Sequence, residues 1–362
     1  MKIKWGSLPD LPPVSDQLEQ KGLAGALIGV SSEMLIVAGG SNFPDSLPWR
    51  GGTKTYYDDI YFVNLKGKGA TWHLAKEKLP EPLAYSSCVS VGDKIICIGG
   101  ENPNGPLPGV LQLKYINNEV LINKLTDFPV PISNSGAAAV GTMVYGVGGI
   151  GPKGNLSSFY CADVQKADFE WEKLPDLPRE VSNAVVVSQW DGVEDCVYVL
   201  GGRNKEAALS NFYNTVWKYT PSKKVWHLVG EINNDQNEPL TLAAGTGVAV
   251  GKNHILLFGG DNGQLYNKTE AFINAAAEAE TLGQKTEINS KKIKHLESHP
   301  GFSKQVLLYN TLTNECVEIT TLPFPAQVTT SSVKYGNKIF IPSGEIRPGV
   351  RTPKVNIAEI SE

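Results

Sequence analysis

The stretch VYVLGG, residues 197–202, decides the fold, because an apolar run that ends in Gly-Gly occurs four more times in the chain. The other copies are LIVAGG (35–40), IICIGG (95–100), VYGVGG (144–149) and ILLFGG (255–260). In chain order, successive copies lie 60, 49, 53 and 58 residues apart. A degenerate sixth copy, IFIPSG (339–344), follows 84 residues after the fifth, and an insertion explains the excess. Repetition at about 50 residues indicates one structural unit repeated six times.

Each unit is predicted to contain four strands. A strand of small residues, such as GAAAVG (136–141), precedes each Gly-Gly strand, and a Pro-containing turn such as LPDLP (174–178) precedes that strand. A third strand follows the Gly-Gly loop, and the fourth strand often carries Trp, as in KVWHLV (224–229). Small residues suit the crowded axis of a ring of blades, and large aromatic rings suit its wide rim. The sequence therefore predicts an all-β propeller of six four-stranded blades.

The last unit lacks its aromatic strand, and the N-terminus supplies one. The third strand of this unit is VNIAEI (355–360), and no fourth strand follows it. At the other end of the chain, IKWGSLPDLP (3–12) matches FEWEKLPDLP (169–178). We expect residues 2–7 to pair with Val355–Ile360, because this pairing closes the ring and removes the exposed edges of an open sheet. The whole chain, 1–362, then forms a single propeller domain.

Composition excludes several classes of function. The hydrophobic content is 41%, the charged content is 19% and the net charge is −4. No Lys/Arg run favours nucleic acid or an anionic membrane, so neither is an expected partner. No apolar run approaches the ~18–20 residues of a membrane span. The N-terminus, MKIKWGSLPD, has no apolar signal core, which predicts a cytoplasmic protein for the chain as given and a periplasmic one if a leader has been removed.

Cysteine and histidine spacings do not indicate a metal site. The five cysteines are scattered and lack CxxC spacing, so we interpret them as buried free thiols, with a Cys88–Cys97 pair left open. His295 and His299 are four residues apart, a spacing that can bind a metal on a helix, but the sequence shows no supporting carboxylate or third ligand at a spacing that completes a site. We therefore expect no metal ion.

An insertion of roughly residues 262–305 follows the fifth Gly-Gly. Ala, Glu and Lys dominate it, so it is predicted to be partly helical. Two interpretations stay open. The insertion is either a solvent-exposed segment without a function or a functional element, which would be a lid or a homodimer contact. Its place in a loop on the same face as Glu345 favours the functional interpretation.

The distinctive polar residues lie in loops at one end of the predicted ring. The loop SGEIRPGVRT (343–352) concentrates opposite charges, with Glu345 beside Arg347 and Arg351. Other charged and amide residues in loops of this end are Arg50, Glu101, Arg179, Asn183 and Arg203. We expect them to converge on the mouth of the axial funnel, where they would suit a small polar ligand, especially an anionic one.

Two family resemblances follow from these motifs. The repeat unit, with Gly201-Gly202, Tyr219 and Trp226, resembles the kelch repeat over essentially the whole chain. GEIRPGVRT (344–352) resembles the GE-x-x-PG-x-RT segment of the sialic acid mutarotases (N-acetylneuraminate epimerases), which are six-bladed kelch propellers. The GGDNGQLYN segment with its insertion and the 201–226 blade are similar to segments of that family. The blade order resembles a cyclic permutation of it, with the Glu-bearing blade last.

This resemblance implies an isomerase that interconverts the α and β anomers of N-acetylneuraminate without a metal or organic cofactor. By position it implies that Glu345 is the catalytic glutamate and Arg351 an active-site arginine that could hold the substrate carboxylate, with Arg347 auxiliary. Two alternatives stay open, a kelch protein-interaction module and a sugar-acid-binding propeller without turnover. A neighbouring arginine would lower the pKa of Glu345 and burial would raise it, and the sequence leaves that balance open.

Overall fold

The computed structural model describes residues 1–13, 18–67, 69–166, 168–234 and 236–361. The described strands include six four-stranded antiparallel sheets, the blades of a propeller, which we number in chain order of their Gly-Gly strands. In five blades the strands follow one another along the chain from the first strand to the fourth. The predicted all-β six-bladed propeller is confirmed.

The strands of the first three blades agree with the repeat read from the sequence. Blade one contains Leu27–Ser31, Met34–Ala38, Ile60–Asn64 and Trp72–Leu74. Blade two contains Ser87–Val91, Lys94–Ile98, Val110–Ile116 and Glu119–Leu125. Blade three contains Gly136–Val140, Met143–Val147, Phe159–Asp163 and Glu172–Lys173.

The other three blades follow the same plan. Blade four contains Val185–Trp190, Asp195–Leu200, Thr215–Thr220 and Val225–Glu231. Blade five contains Thr246–Val250, His254–Phe258, Gln305–Asn310 and Glu315–Thr321. Blade six contains Val333–Tyr335, Lys338–Pro342, Val355–Ser361 and, as its outer strand, Lys2–Leu8.

The N-terminal strand closes the ring as predicted. Lys2–Leu8 pairs antiparallel with Val355–Ser361, and Trp5 lies opposite Ala358. The Trp5 ring packs edge-on against Phe324 at 5.3 Å between ring centroids. Because this strand covers the outer edge of blade six, the blade has the same four strands as its neighbours. The division of the chain, with 1–362 as one domain, stays a prediction.

Rim tryptophans join consecutive blades. Trp226 of blade four donates its indole N–H to the carbonyl of Pro175 in the preceding LPDLP turn at 2.9 Å. Trp72 of blade one makes the equivalent bond to Pro9 at 2.8 Å. A buried indole N–H needs an acceptor, and the turn carbonyl provides one at the same place in the repeat. This contact explains why the Pro-containing turn and the Trp strand recur together in the sequence.

A closed ring of backbone hydrogen bonds joins all six blades around the axis. One residue in the segment that enters each first strand has a left-handed conformation, with φ between 52° and 65°. Each backbone N–H in this ring donates to the carbonyl of the residue in the preceding blade, at 2.7–3.0 Å. The six members are Gly25, Tyr85, Asn134, Asn183, Ala244 and Thr329. Left-handed Tyr and Thr are costly, so the bonds of the ring must hold them in place.

The loops that follow the Gly-Gly strands are mostly short two-stranded ladders. The ladder of blade one also includes a 3-10 helix, Pro48–Arg50. The five ladders pair Ser41–Asn42 with Thr55–Tyr56, Glu101–Asn102 with Gly105–Pro106, Ile150–Gly151 with Gly154–Asn155, Arg203–Asn204 with Asn211–Phe212, and Glu345–Arg347 with Val350–Arg351.

In blade five, two helices take the place of the ladder. Helix α1 is Gln264–Glu278 and helix α2 is Leu282–Glu297. The Thr281 hydroxyl accepts the Gln284 N–H, and the Gln284 side chain accepts the Thr281 N–H, so α2 begins with a capping box. The partly helical insertion is therefore confirmed. In the described part of the chain, no helix combines the length and the apolar composition needed to cross a membrane.

Candidate functional site

A cavity of about 440 Å³ lies between the hydrogen-bonded ring and the helical insertion. Five of the six members of the ring, all except Gly25, border the cavity. The insertion covers it with residues of both helices. The insertion residues that line it are Leu265, Tyr266, Thr269, Glu270, Ile273, Leu296, His299 and Phe302. Its volume is that of a site for a small molecule.

Six equivalent positions surround this end of the axis. Each is the residue directly after the last Gly of a Gly-Gly loop (Ser343-Gly344 in blade six), and each forms a β-bridge with the segment that enters the first strand of the same blade. The six residues are Ser41, Glu101, Ile150, Arg203, Asp261 and Glu345. All but Ser41 line the cavity. The repeat therefore delivers one side chain per blade to the same level, and the sequence decides the chemistry of each.

Glu345 is a carboxyl group held at the wall of the cavity, with its side chain 16% exposed. Its Oε1 accepts the N–H of Gly349 at 2.7 Å, and its Oε2 lies 3.5 Å from Nη2 of Arg351. Burial raises the pKa of Glu345 above its ordinary value, and the Arg351 guanidinium and the Gly349 N–H oppose this rise without reversing it. The balance that the sequence left open is therefore decided by burial.

Arg351 supports Glu345 from the side away from the cavity. Its side chain is 5% exposed, its guanidinium carbon lies 4.7 Å from the centre of the Phe43 ring, and it is not among the residues that line the cavity. Within the described residues, Nε and Nη1 are buried and have no hydrogen-bond partner. Arg351 thus places a fixed positive charge next to the carboxyl group.

The carboxylate of Glu101 has more hydrogen-bond donors around it than that of Glu345. Its Oε1 accepts the Tyr56 hydroxyl at 2.8 Å and lies 3.5 Å from Nζ of Lys54, while its Oε2 accepts the Ser133 hydroxyl at 3.0 Å. Burial and the bond to Glu101 raise the pKa of Tyr56 to about 12, so the phenol stays a donor at neutral pH. The carboxylate of Glu101 therefore holds the ammonium group of Lys54 at the cavity and the Tyr56 hydroxyl beside it.

Lys54 is a cation at the same wall. Burial lowers the pKa of Lys54, but Tyr85, Glu101 and Tyr56 outweigh it, and the net result is a raised pKa. The ammonium group also lies 5.1 Å from the centre of the Tyr85 ring. A lysine that stays charged and lines the cavity can attract an anionic ligand.

Asp261 and Arg203 form the neighbouring part of the wall. Burial raises the pKa of Asp261, and the Gly263 N–H and the Arg203 charge oppose that rise. The guanidinium carbon of Arg203 lies 4.6 Å from the centre of the Tyr266 ring in helix α1. This contact between the wall and the covering helix places a second cation beside the cavity.

The insertion is anchored to blade four through Glu270 of helix α1. The Glu270 carboxylate is buried, accepts the backbone N–H of Ser210 at 2.7 Å and lies 2.9 Å from Nζ of Lys205. The exposed pair of Arg50 and Glu297 ties helix α2 to blade one. Because both helices contact the ladders of other blades, the insertion lies across the cavity, as the lid interpretation expects.

The two histidines of the insertion have separate partners. His295 bonds through Nε2 to the carbonyl of Leu265 at 3.1 Å. His299 is buried at the cavity, and its Nδ1 accepts the N–H of Gly301 at 3.1 Å. Burial lowers the pKa of His299, and the charges of His295 and Arg347 lower it further. His299 therefore carries its proton on Nε2 and is a neutral group at the cavity.

The structure brings four of the predicted site residues to the cavity and places the others elsewhere. Glu101, Asn183, Arg203 and Glu345 line it, and Arg351 lies behind Glu345. Among the described residues, the lining does not include Arg50, Arg179 or Arg347.

The three arginines outside the lining lie in different surroundings. Arg50 pairs with Glu297 at the surface. Arg179 lies 3.8 Å from the centre of the Tyr213 ring and donates to the Gly201 carbonyl at 2.9 Å, so it joins blades three and four. Arg347 is exposed on its ladder. A loop charge is free to turn toward several neighbours, and sequence position alone does not choose among them.

Lys54, Tyr56, Tyr266 and His299 line or support the cavity but were missed as site residues. Lys54 and Tyr56 lie two residues apart at a short strand, so they point to the same side of the ladder, whereas Arg50 lies in the preceding 3-10 helix. The spacing of two residues between Lys54 and Tyr56, at a strand that follows the Gly-Gly loop, is the sequence signal that indicates these two residues. The residues of the insertion carry no such signal, because long-range contacts set the position of the helices.

The fold and the cavity define the class of this protein: a six-bladed kelch-type propeller with a cavity at its loop end that charged, amide and apolar side chains line. Comparison with known families places it more closely. The family model for N-acetylneuraminate epimerase matches residues 1–122 and 125–362, so the chain belongs to the N-acetylneuraminate epimerase family.

Individual relatives agree over shorter stretches. An N-acetylneuraminate epimerase of Haemophilus influenzae (strain PittEE) is 35% identical over 130 residues, which are 33% of each chain. One of Salmonella arizonae is 33% identical over 132 residues, again 33% of each chain. One of Salmonella paratyphi B is 31% identical over 163 residues, 44% of this chain and 40% of the relative. The chain thus spans a third to two fifths of the length of these relatives.

Proposed function

We propose that this protein is a sugar-acid mutarotase that interconverts the α and β anomers of N-acetylneuraminate by acid/base-assisted ring opening. The observation that carries the proposal is the carboxyl group of Glu345, which faces a covered cavity and has a raised pKa. A raised pKa brings the protonated and ionised forms closer in population near neutral pH, which is what a group needs in order to give and take a proton. The name of the relatives supplies the sugar.

The reaction needs one proton removed from the anomeric hydroxyl and one delivered to the ring oxygen. In the proposed sequence, the Glu345 carboxylate takes the proton of the anomeric hydroxyl, the bond from the anomeric carbon to the ring oxygen breaks, and the ring oxygen receives a proton from the same carboxyl group. The open-chain ketone then turns over and the ring closes by the reverse transfers. One carboxyl group therefore returns to its starting state in each turnover.

The substrate's own carboxylate requires cations beside Glu345. Lys54 and Arg203 both line the cavity, so a ligand in the cavity can contact their positive charges. We assign the substrate carboxylate to these two residues and keep Arg351 as the group that orients Glu345 and limits its pKa. The amide of Asn183, which lines the cavity, offers hydrogen bonds to sugar hydroxyls, and the insertion side chains exclude water.

The acceleration required is modest, because sugars open spontaneously. General acid–base catalysis typically contributes about 10²–10⁴-fold, which is ~3–5 kcal/mol. The C–O bond of the ring breaks and re-forms in each turnover, and the protein assists these steps by proton transfers that a side chain can perform.

The test is the approach of freshly released α-N-acetylneuraminate to anomeric equilibrium, followed by NMR with and without the protein. We expect the protein at micromolar concentration to speed equilibration. Binding without acceleration would identify a sugar-acid-binding propeller instead. If the protein neither binds this sugar nor speeds its equilibration, the sugar is not its ligand. That result would favour a protein-interaction role.

A further inference from the structure

Two cysteines face each other on neighbouring strands of blade two. Ser87–Val91 and Lys94–Ile98 pair antiparallel, and Cys88 lies directly opposite Cys97. The two Sγ atoms are 3.1 Å apart, while both residues are free thiols. The side chains therefore already point toward each other.

The turn of this hairpin defines the kind of pair they form. Gly92 and Asp93 make a two-residue turn, with Gly92 at φ 59°, and Val91 opposite Lys94 is the closing pair. The closing pair of such a turn is hydrogen-bonded, and the two kinds of pair alternate along antiparallel strands. Cys88 and Cys97 are three pairs further on, so they form a non-hydrogen-bonded pair with Cα atoms about 4.5 Å apart. This lies within the ~4.4–6.8 Å that a disulfide spans, so the bond needs no movement of the backbone.

One of the two thiols is accessible from the axis of the propeller. Cys88 is partly buried and lines an axial cavity of about 150 Å³ beneath the hydrogen-bonded ring, whereas Cys97 is buried. Hydroxyl groups border this cavity, among them Ser87, Ser135 and Thr246. A narrow polar space admits a small polar oxidant, and Cys88 is the sulfur that such a molecule meets first.

We propose that Cys88 and Cys97 form a reversible redox pair that a small peroxide oxidises to a cross-strand disulfide. The Cys88 thiol loses its proton, its thiolate attacks one oxygen of hydrogen peroxide and the O–O bond breaks. The departing hydroxide takes up that proton, which leaves a sulfenic acid and one water. The Cys97 sulfur then attacks the Cys88 sulfur, the S–O bond breaks, and the departing hydroxide leaves as a second water with the proton of Cys97. Two thiols lose two electrons, and the peroxide gains them.

The other cysteines do not offer the same chemistry. Cys161, Cys196 and Cys316 are single thiols without a sulfur partner among the described residues. Burial raises the pKa of Cys161 to about 11 and those of Cys196 and Cys316 to about 12, so their nucleophilic thiolates are scarce. Burial raises the pKa of the Cys97 thiol too, which fits its role as the second sulfur to react.

The pair can be tested on the full chain with hydrogen peroxide, followed by alkylation, trypsin digestion and mass spectrometry without reductant. Because trypsin cleaves after Lys94, Cys88 and Cys97 fall in different peptides, 79–94 and 95–114. We expect a cross-linked species of these two peptides that lacks two hydrogen atoms, a loss of two alkylatable thiols out of five, and full return of both after treatment with a thiol reductant.

Two matched variants define the outcome. Cys88→Ala is expected to abolish the cross-link, and Cys316→Ala is expected to leave it unchanged, with folding of both verified by thermal unfolding. Retention of all five thiols in the wild type would overturn the proposal. So would a Cys88 that stops at a sulfinic acid, or a cross-link that involves other cysteines. None of these outcomes depends on the proposed mutarotase activity.

Discussion

Glu101 and Glu345 occupy the same place in blades two and six, directly after the last Gly of the loop, yet their carboxyl groups are held differently. Glu101 accepts two hydroxyl groups, from Tyr56 and Ser133, and lies beside Lys54. Glu345 accepts one backbone N–H, from Gly349, and has the Arg351 guanidinium at 3.5 Å. The frame of the propeller fixes where each carboxyl group lies. The neighbouring loops decide whether it organises other groups or is free to exchange a proton.

The largest expected effect is that of Glu345→Gln. The amide keeps the size of the side chain and an oxygen for the Gly349 N–H, but it cannot take up a proton at neutral pH. We expect the rate of anomer equilibration to fall by about 10²–10⁴-fold, the usual contribution of general acid–base catalysis. The measurement is NMR of the anomers, with ligand binding measured separately by calorimetry. Full turnover in this variant would remove Glu345 from the mechanism.

The next effect concerns Ser343, which stands where blade two has Gly99. Ser343 has φ 55°, and its buried hydroxyl accepts the Leu23 N–H at 2.7 Å and donates to the Thr352 carbonyl at 2.8 Å. Ser343→Ala leaves a buried N–H without a partner, so we expect a loss of about 2 kcal/mol in the free energy of unfolding. Denaturant unfolding measures it.

The matched variant for this position is Ser343→Gly. Glycine adopts the left-handed conformation without strain, so we expect Ser343→Gly to be less destabilised than Ser343→Ala. The opposite order would show that backbone conformation is not what limits this position.

The smallest effect is expected for Glu101→Gln. The amide oxygen still accepts one hydroxyl, but the charge that holds Lys54 is lost. We expect KM to rise by about tenfold and kcat to change little, because a charged hydrogen bond is worth about 1.5–3 kcal/mol and only part of it is removed. Steady-state kinetics by NMR separates the two constants. A fall in kcat as large as that of Glu345→Gln would show that the two glutamates act as one unit.

The fold was predictable from the sequence because its signals are local and repeated. Apolar runs that end in Gly-Gly recur five times with a degenerate sixth copy, small first strands recur six times, and rim tryptophans occur in four blades. The match between 3–12 and 169–178 located the closing strand. The αL conformations of the hydrogen-bonded ring were not visible. Tyr85, Ala244 and Thr329 are residues that local preference keeps out of this region, and only the closed ring of bonds holds them there.

The site was predictable only in part, for a physical reason. The order of the strands in each blade predicts which loops lie at the cavity end, and it therefore predicts that Glu101 and Glu345 lie there. The direction of a long charged side chain does not follow from it. The predicted binding residues Arg50 and Arg179 lie outside the lining, whereas Lys54 lies within it. The position of the insertion depends on Glu270 and on contacts sixty residues away in sequence, at Ser210. The amino-acid composition of the insertion predicted that it is helical, but it did not predict that the helices lie over the cavity.

The central claim is that burial gives Glu345 a raised pKa with which it performs the proton transfers. The most direct measurement is the pH dependence of kcat/KM for anomer equilibration, after subtraction of the spontaneous rate, for the wild type and for Arg351→Met. We predict that the wild-type rate falls on the acid side with an apparent pKa above the ordinary glutamate value of about 4.3. Because the Arg351 charge opposes the rise, its removal should move this limb to still higher pH. A wild-type limb at or below the ordinary value, or one that does not move in Arg351→Met, would contradict the account.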